Sequence, residues 1–146
     1  MDLYSRKIIA WVLSETLEAS HVVECIEKAK KIRRITQPLI IHTDRGCQYV
    51  SDAFRKATEG MVNSYSKKAY PWDNACIESF HALLKREWIN RFKIFNYRHA
   101  YKLVFEYIET FYNTVRTHSH CGYLSPDQYE EEYYAALDER AEALAG

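Results

Sequence analysis

With 146 residues, 47% of them hydrophobic, and only four glycines and three prolines, the chain can bury a core, which excludes an intrinsically disordered polymer. No apolar stretch approaches the ~18–20 residues that span a bilayer, and the opening Met1-Asp2-Leu3-Tyr4-Ser5-Arg6 does not have the basic-then-apolar order of a secretory signal. Net charge is zero but unevenly spread: residues 127–146 hold seven acids against Arg140 alone, leaving residues 1–126 at +6, a balance that suits a phosphate-backbone partner and an ordinary soluble domain alike.

The elements follow in chain order. Ile8–Leu13 is apolar on both faces and reads as a strand internal to a sheet, preceded by a polar turn at Ser5–Lys7. A helix is expected from about Glu18 or Ser20 to Arg34, with Val22, Val23, Ile26, Ala29 and Ile32 on one side. Leu39–Thr43 is a short buried strand that stops at Asp44-Arg45-Gly46. Ser51-Asp52 caps a short helix through Glu59, closed by Gly60. Val62–Ser66 is a further strand, and Lys67–Trp72 a basic, aromatic loop.

Asp73 or Asn74 is expected to cap a helix from about Ala75 to Ile89. A long aromatic helix spans about Tyr97–Asn113, with Tyr97, Tyr101, Val104, Phe105, Ile108 and Phe111 along one stripe, read as core or dimer packing. A loop over Arg116–Pro126 leads to a last helix near Pro126–Leu144. This alternation describes an α/β layer architecture. The cysteines Cys25, Cys47, Cys76 and Cys121 form no Cys-x-x-Cys pair and read as reduced thiols of a cytoplasmic protein.

Two acids stand out. Asp44 follows a short strand, where open α/β sheets place functional groups. Glu78, with 33 residues between the two, falls on the polar arc of its helix together with Lys85, two turns or about 10 Å further along the axis. Carboxylates of this kind hold Mg2+ or Mn2+ with the help of substrate phosphate, two such ions about 3.5–4 Å apart drive in-line displacement at phosphorus, and a lysine beyond them would grip phosphate. Two acids alone read more readily as a solvated surface. Glu78-Ser79-Phe80-His81 has the spacing of a di-metal helix but no second copy, and His118-Ser119-His120-Cys121 has no complementary pair for zinc, so it reads as a loop. Lys67 and Lys68 beside Tyr70 and Trp72 suit end or single-strand binding by charge and stacking, or a merely solvated loop.

Longer blocks decide between these readings. His42-Thr43-Asp44-Arg45-Gly46-Cys47-Gln48-Tyr49 resembles the His-Ser-Asp-x-Gly-Ser-Gln-Tyr block of bacterial insertion-sequence transposases. Ser64-Tyr65-Ser66 through Tyr70-Pro71-Trp72-Asp73-Asn74-Ala75 is similar to their Ser-Met-Ser-x-x-Gly-x-Pro-x-Asp-Asn-Ala block. Glu78-Ser79-Phe80 with Leu84-Lys85 and Glu87, the opening Asp2-Leu3-Tyr4-Ser5-Arg6-Lys7-Ile8, and Tyr112-Asn113, Arg116, His118, Gly122 and Pro126 resemble three further blocks in the same order.

The resemblance implies a DDE transposase/integrase catalytic core of the retroviral-integrase superfamily: an RNase H-like mixed sheet flanked by helices, metal-dependent cutting and joining of transposon ends, and Mg2+ or Mn2+ as cofactor. It makes Asp44 and Glu78 the second and third metal ligands and Lys85 the DNA-contacting lysine, with Arg45, Lys67, Lys68, Asn74 and Arg6 as further candidate DNA contacts. The implied partners are transposon-end and target DNA and a second copy or a full-length transposase, with no membrane, in the bacterial cytoplasm at the nucleoid. Residues 1–130 correspond to a partial catalytic core and 131–146 to an acidic helical tail.

Cys47, Ala69 and Cys121 replace a usual serine, glycine and leucine. The family's Trp-x-x-Asp-x-Thr-Tyr strand, which carries its first acid, has no match here, and Asp2 matches the hairpin aspartate instead. The chain is therefore expected to lack the first strand and to be weakly catalytic or inactive by itself, with a DNA-binding or dimerising remnant as the alternative.

Overall fold

A computed structural model describes residues 1–33, 35, 38–67 and 70–145. The α/β character is present as a mixture of helices with a small sheet: α1 (Ala19–Ile32), β1 (Ile40–Thr43), α2 (Asp52–Ala57), β2 (Val62–Tyr65), α3 (Ala75–Leu83), α4 (Tyr97–Phe105) and α5 (Pro126–Ala145). The chain divides into two compact units, one of residues 1–8 and 80–146, the other of residues 9–79, the second junction falling inside α3.

The 9–79 unit is built on a βαβ arrangement. β1 and β2 pair in parallel with Ile40 opposite Val62 and His42 opposite Ser64, and a parallel pair needs a crossover, here supplied by α2. Ser51 caps α2 by accepting from the Phe54 backbone N–H at 3.2 Å, and Gly60, at φ +82, supplies the left-handed turn after it. The apolar face of α1 meets α2 in a core of Ile26, Phe54 and Ala57, flanked by Val22, Val23, Ile41 and Tyr49. Ile32, expected on that face, is exposed at the helix end, and Arg34 lies outside the described residues.

In the other unit the N-terminal turn is closed by Asp2, whose backbone N–H donates to the Lys7 carbonyl at 2.8 Å while its Oδ1 accepts from Tyr4 N–H at 2.8 Å. α5 clasps this turn: Ser5 Oγ donates to Glu130 Oε1 at 2.7 Å, and Lys7 pairs with Asp127 at 2.7 Å and Glu130 at 3.4 Å. Tyr4 stacks on Tyr129 with ring centroids 4.9 Å apart. The core of the unit is largely aromatic, with Phe80, Leu103, Tyr107, Ile108, Tyr112 and Cys121 all buried.

Three expectations are corrected here. Ile8–Leu13 is not a strand; a strand needs a neighbouring backbone, and the N–H and C=O of Ile8 are taken instead by the side-chain amide of Asn113, at 2.9 and 3.1 Å. The helices after Ala75 and Tyr97 are not α-helical throughout: Leu84–Trp88 and Glu106–Tyr112 are π-helical. The aromatic stripe is also not the buried face: Tyr97, Tyr101 and Phe105, all within α4, are exposed, while Leu103, Tyr107, Ile108 and Tyr112 are buried. Among the described residues no helix is long and apolar enough to cross a membrane.

Candidate functional site

Asp44 sits directly beyond the C-terminal end of β1 and is exposed. The frame beneath it is tightly hydrogen-bonded. His42 bridges two hydroxyls, with Nδ1 2.9 Å from Ser64 Oγ and Nε2 3.1 Å from Ser66 Oγ. Each ring nitrogen thus has a hydroxyl that can serve as donor or acceptor, whichever tautomer the ring adopts. Ser66 N–H donates to the Thr43 carbonyl at 2.9 Å, and Arg45 Nε donates to the Ser66 carbonyl at 3.1 Å. The loop after β1 is thereby stitched to the end of β2.

The turn runs through Gly46. Its N–H donates to Asp44 Oδ1 at 2.8 Å. A Cβ there would stand 2.7 Å from the Gln48 side-chain nitrogen and 3.0 Å from Asp44 Oδ1. These are ends of flexible side chains, so a larger residue there would displace Gln48 more readily than the backbone.

Glu78 lies in the first turn of α3 and is exposed; Asp44 and Glu78 belong to the same compact unit. The segment leading to α3 is a 3-10 turn, Pro71–Asn74, which runs straight into the helix. Asp73 does not cap α3: its Oδ2 accepts from the Lys67 backbone N–H at 2.8 Å, pinning the loop that follows β2. Asn74 closes the 3-10 turn and is half-buried. Lys67 is exposed, as are Tyr70 and Trp72, the latter at 76%. Lys68 lies outside the described residues.

Lys85 and Arg6 belong to the other unit. Lys85 is exposed on the π-helical turn Leu84–Trp88. Arg6 is half-buried at φ 63, with Nη2 3.3 Å from His120 Nδ1, so part of its hydrogen-bonding capacity is used within the fold. Asp2 serves the backbone of its own turn.

A divalent ion of the Mg2+ type needs several oxygen ligands around one point. Among the described residues no group of three or more His, Cys, Asp or Glu side chains is placed to hold a metal ion. Asp44 and Glu78 by themselves do not fit such a centre.

The sequence pointed to Glu87 and Arg116 but not to their union. Arg116 Nε donates to Glu87 Oε2 and Nη2 to Oε1, both at 2.8 Å, and the Tyr107 hydroxyl donates to Oε2 at 2.8 Å. The hydrogen bond from Arg116 is the main reason the Glu87 carboxyl is held below its ordinary range. Burial, followed by the Glu87 hydrogen bond, pushes the Tyr107 phenol well above its own. Next to them His118 is depressed to about 4, by burial first and then by the Arg116 charge. Both ends of the pair lie in blocks that stood out in the sequence, 29 residues apart, yet nothing local announces the contact.

Two family models, each described as "Integrase core domain", match residues 1–71 and 59–126. The chain is similar to the transposase for insertion sequence element IS904 of Lactococcus lactis, 39% identical over 133 residues that make up 90% of this chain and 53% of the relative. It is also similar to the transposase InsF for insertion sequence IS3A of Escherichia coli K12, 37% identical over 137 residues, 92% of this chain and 48% of the relative. The chain spans about half the length of the curated relatives it matches.

Proposed function

Because the chain belongs to the integrase core domain family of DDE transposases, we propose that it is the larger part of a DNA-cutting and -joining core, acting at the ends of a mobile element by phosphoryl transfer. The observation that carries this reading is the frame around Asp44. An exposed carboxylate beyond a strand end is braced by His42, Arg45 and Gly46, in the same unit as the exposed Glu78.

In this reading Asp44 and Glu78 are two of the acidic ligands, and they would hold Mg2+ or Mn2+ once a further oxygen ligand is supplied from elsewhere. Lys85 contacts DNA phosphate. Arg45, Lys67, Lys68, Asn74 and Arg6 are secondary contacts. Residues 1–130 form the core portion and 131–146 an acidic helical tail. The partners are transposon-end and target DNA and a second or longer transposase chain, in the bacterial cytoplasm at the nucleoid. A second reading is a chain that binds DNA or pairs with a longer transposase without catalysis.

The test is a nicking and strand-transfer assay on labelled element-end DNA with Mg2+ or Mn2+. It compares the chain alone with the chain fused behind the upstream half of the Lactococcus relative. The expected result is DNA binding without transfer by the chain alone, transfer by the fusion, and loss of transfer on Asp44→Asn or Glu78→Gln. Transfer that survives both substitutions overturns the reading. A folded fusion that binds DNA and never transfers supports the second one.

A further inference from the structure

In the 1–8/80–146 unit, helical hydrogen bonding departs from the α pattern at two places that touch. Leu84–Trp88 and Glu106–Tyr112 are both π-helical, and the Tyr107 hydroxyl of the second donates to Glu87 Oε2 of the first at 2.8 Å. Arg116 binds the same carboxylate through two nitrogens, with the pair only 20% and 25% exposed. A π turn is rare and frequently found at functional sites, and such a local departure persists where the surroundings over-determine it. Here the surroundings are explicit: three hydrogen bonds converge on one side chain of the five-residue turn. The exposed residues of that turn are Lys85 and Arg86.

We propose that Glu87 is a positioning residue: tied to Arg116 and Tyr107, it fixes the π turn so that Lys85 and Arg86 present their cations to a DNA phosphate. The clasp has an electrostatic side as well. An unpaired carboxylate two residues from Lys85 would oppose phosphate binding, and the Arg116 guanidinium cancels that charge. The inference rests on the reading of Lys85 as a phosphate contact.

Simple charge counting predicts the opposite behaviour, because deleting a carboxylate beside a lysine should strengthen binding to any polyanion. The experiment therefore measures the affinity of the full chain for a random-sequence duplex from 50 to 200 mM salt. The variants are Lys85→Met, Glu87→Gln, the Lys85→Met/Glu87→Gln pair and Tyr107→Phe, with folding checked by circular dichroism. Loss of one phosphate contact lowers the slope of log K against log salt by about 0.9. Lys85→Met and Glu87→Gln are each expected to lower it by about that amount, the pair by no more than either alone, and Tyr107→Phe by a fraction of it. Tyr107→Phe changes no charge, so it carries the test should Glu87→Gln fail to fold.

A slope unchanged in Tyr107→Phe and Glu87→Gln while Lys85→Met lowers it, or a tighter-binding Glu87→Gln, overturns the inference and leaves the Lys85 reading standing. An unchanged slope in Lys85→Met removes the Lys85 reading and the positioning role with it.

Discussion

His118 links the Glu87–Arg116 pair to the medium. Its folded-state value of about 4 lies below the ordinary 6.5, so between those limits the unfolded chain binds more protons than the folded one. Stability from the neutral imidazole is complete above pH 6.5 and drains away as the pH falls towards 4. Glu87, itself held low, acts in the same direction further into acid. Because His118 is only half-buried, the loss is discounted for solvent screening to about 1–2 kcal/mol. Replacing His118 by Gln should flatten the fall in urea midpoint between pH 6.5 and 4.5, and equal falls in both proteins would count against this assignment. At this scale the sequence was informative wherever a residue's role is local. Asp44 and Gly46 are two positions apart and their turn could be read from the motif. The polar turn Ser5–Lys7 is less open than its residue types suggest: Ser5 is buried and Lys7 is paired with Asp127 and Glu130, acids 120 or more positions away.

Elements were legible in proportion to how far their own residues determine them. α1, α2 and α5 carry their signals locally: apolar spacing in the first, the Ser51 cap in the second, and the Ser125-Pro126 start in the third. The two π-helical stretches had no such signal, and the hydrogen bond that joins them links Tyr107 to Glu87, 20 positions apart. Ile8–Leu13 was misread because apolarity measures burial and not pairing. The side chain that stands in for a strand neighbour there, Asn113, is 4% exposed. Asn113→Ala would leave the Ile8 N–H and C=O without these partners, at a cost of about 2–4 kcal/mol. A urea midpoint within experimental error of the parent protein would show that the Asn113 amide is dispensable.

At the scale of the molecule the two units differ in what they bury. Residues 9–79 enclose a core of Ile26, Phe54 and Ala57 beneath a two-stranded sheet whose Ile40 and Val62 are exposed. Such a sheet is marginal without further packing. The other unit closes around Tyr107, Ile108 and Tyr112, each no more than 2% exposed. Backbone amides of Leu103–Tyr112 should therefore exchange with solvent at least about tenfold more slowly than those of β1 and β2, as read by hydrogen–deuterium exchange; equal protection would mean that both units open together. The discontinuity of the aromatic unit also imposes an order of assembly on the ribosome. The Ser5–Glu130 hydrogen bond joins residues 125 positions apart. At about 5–20 residues per second, roughly 6–25 seconds of translation separate the two partners. Within that interval residues 9–79 emerge as one uninterrupted stretch, while residues 1–8 must wait for a helix that has not yet been synthesised.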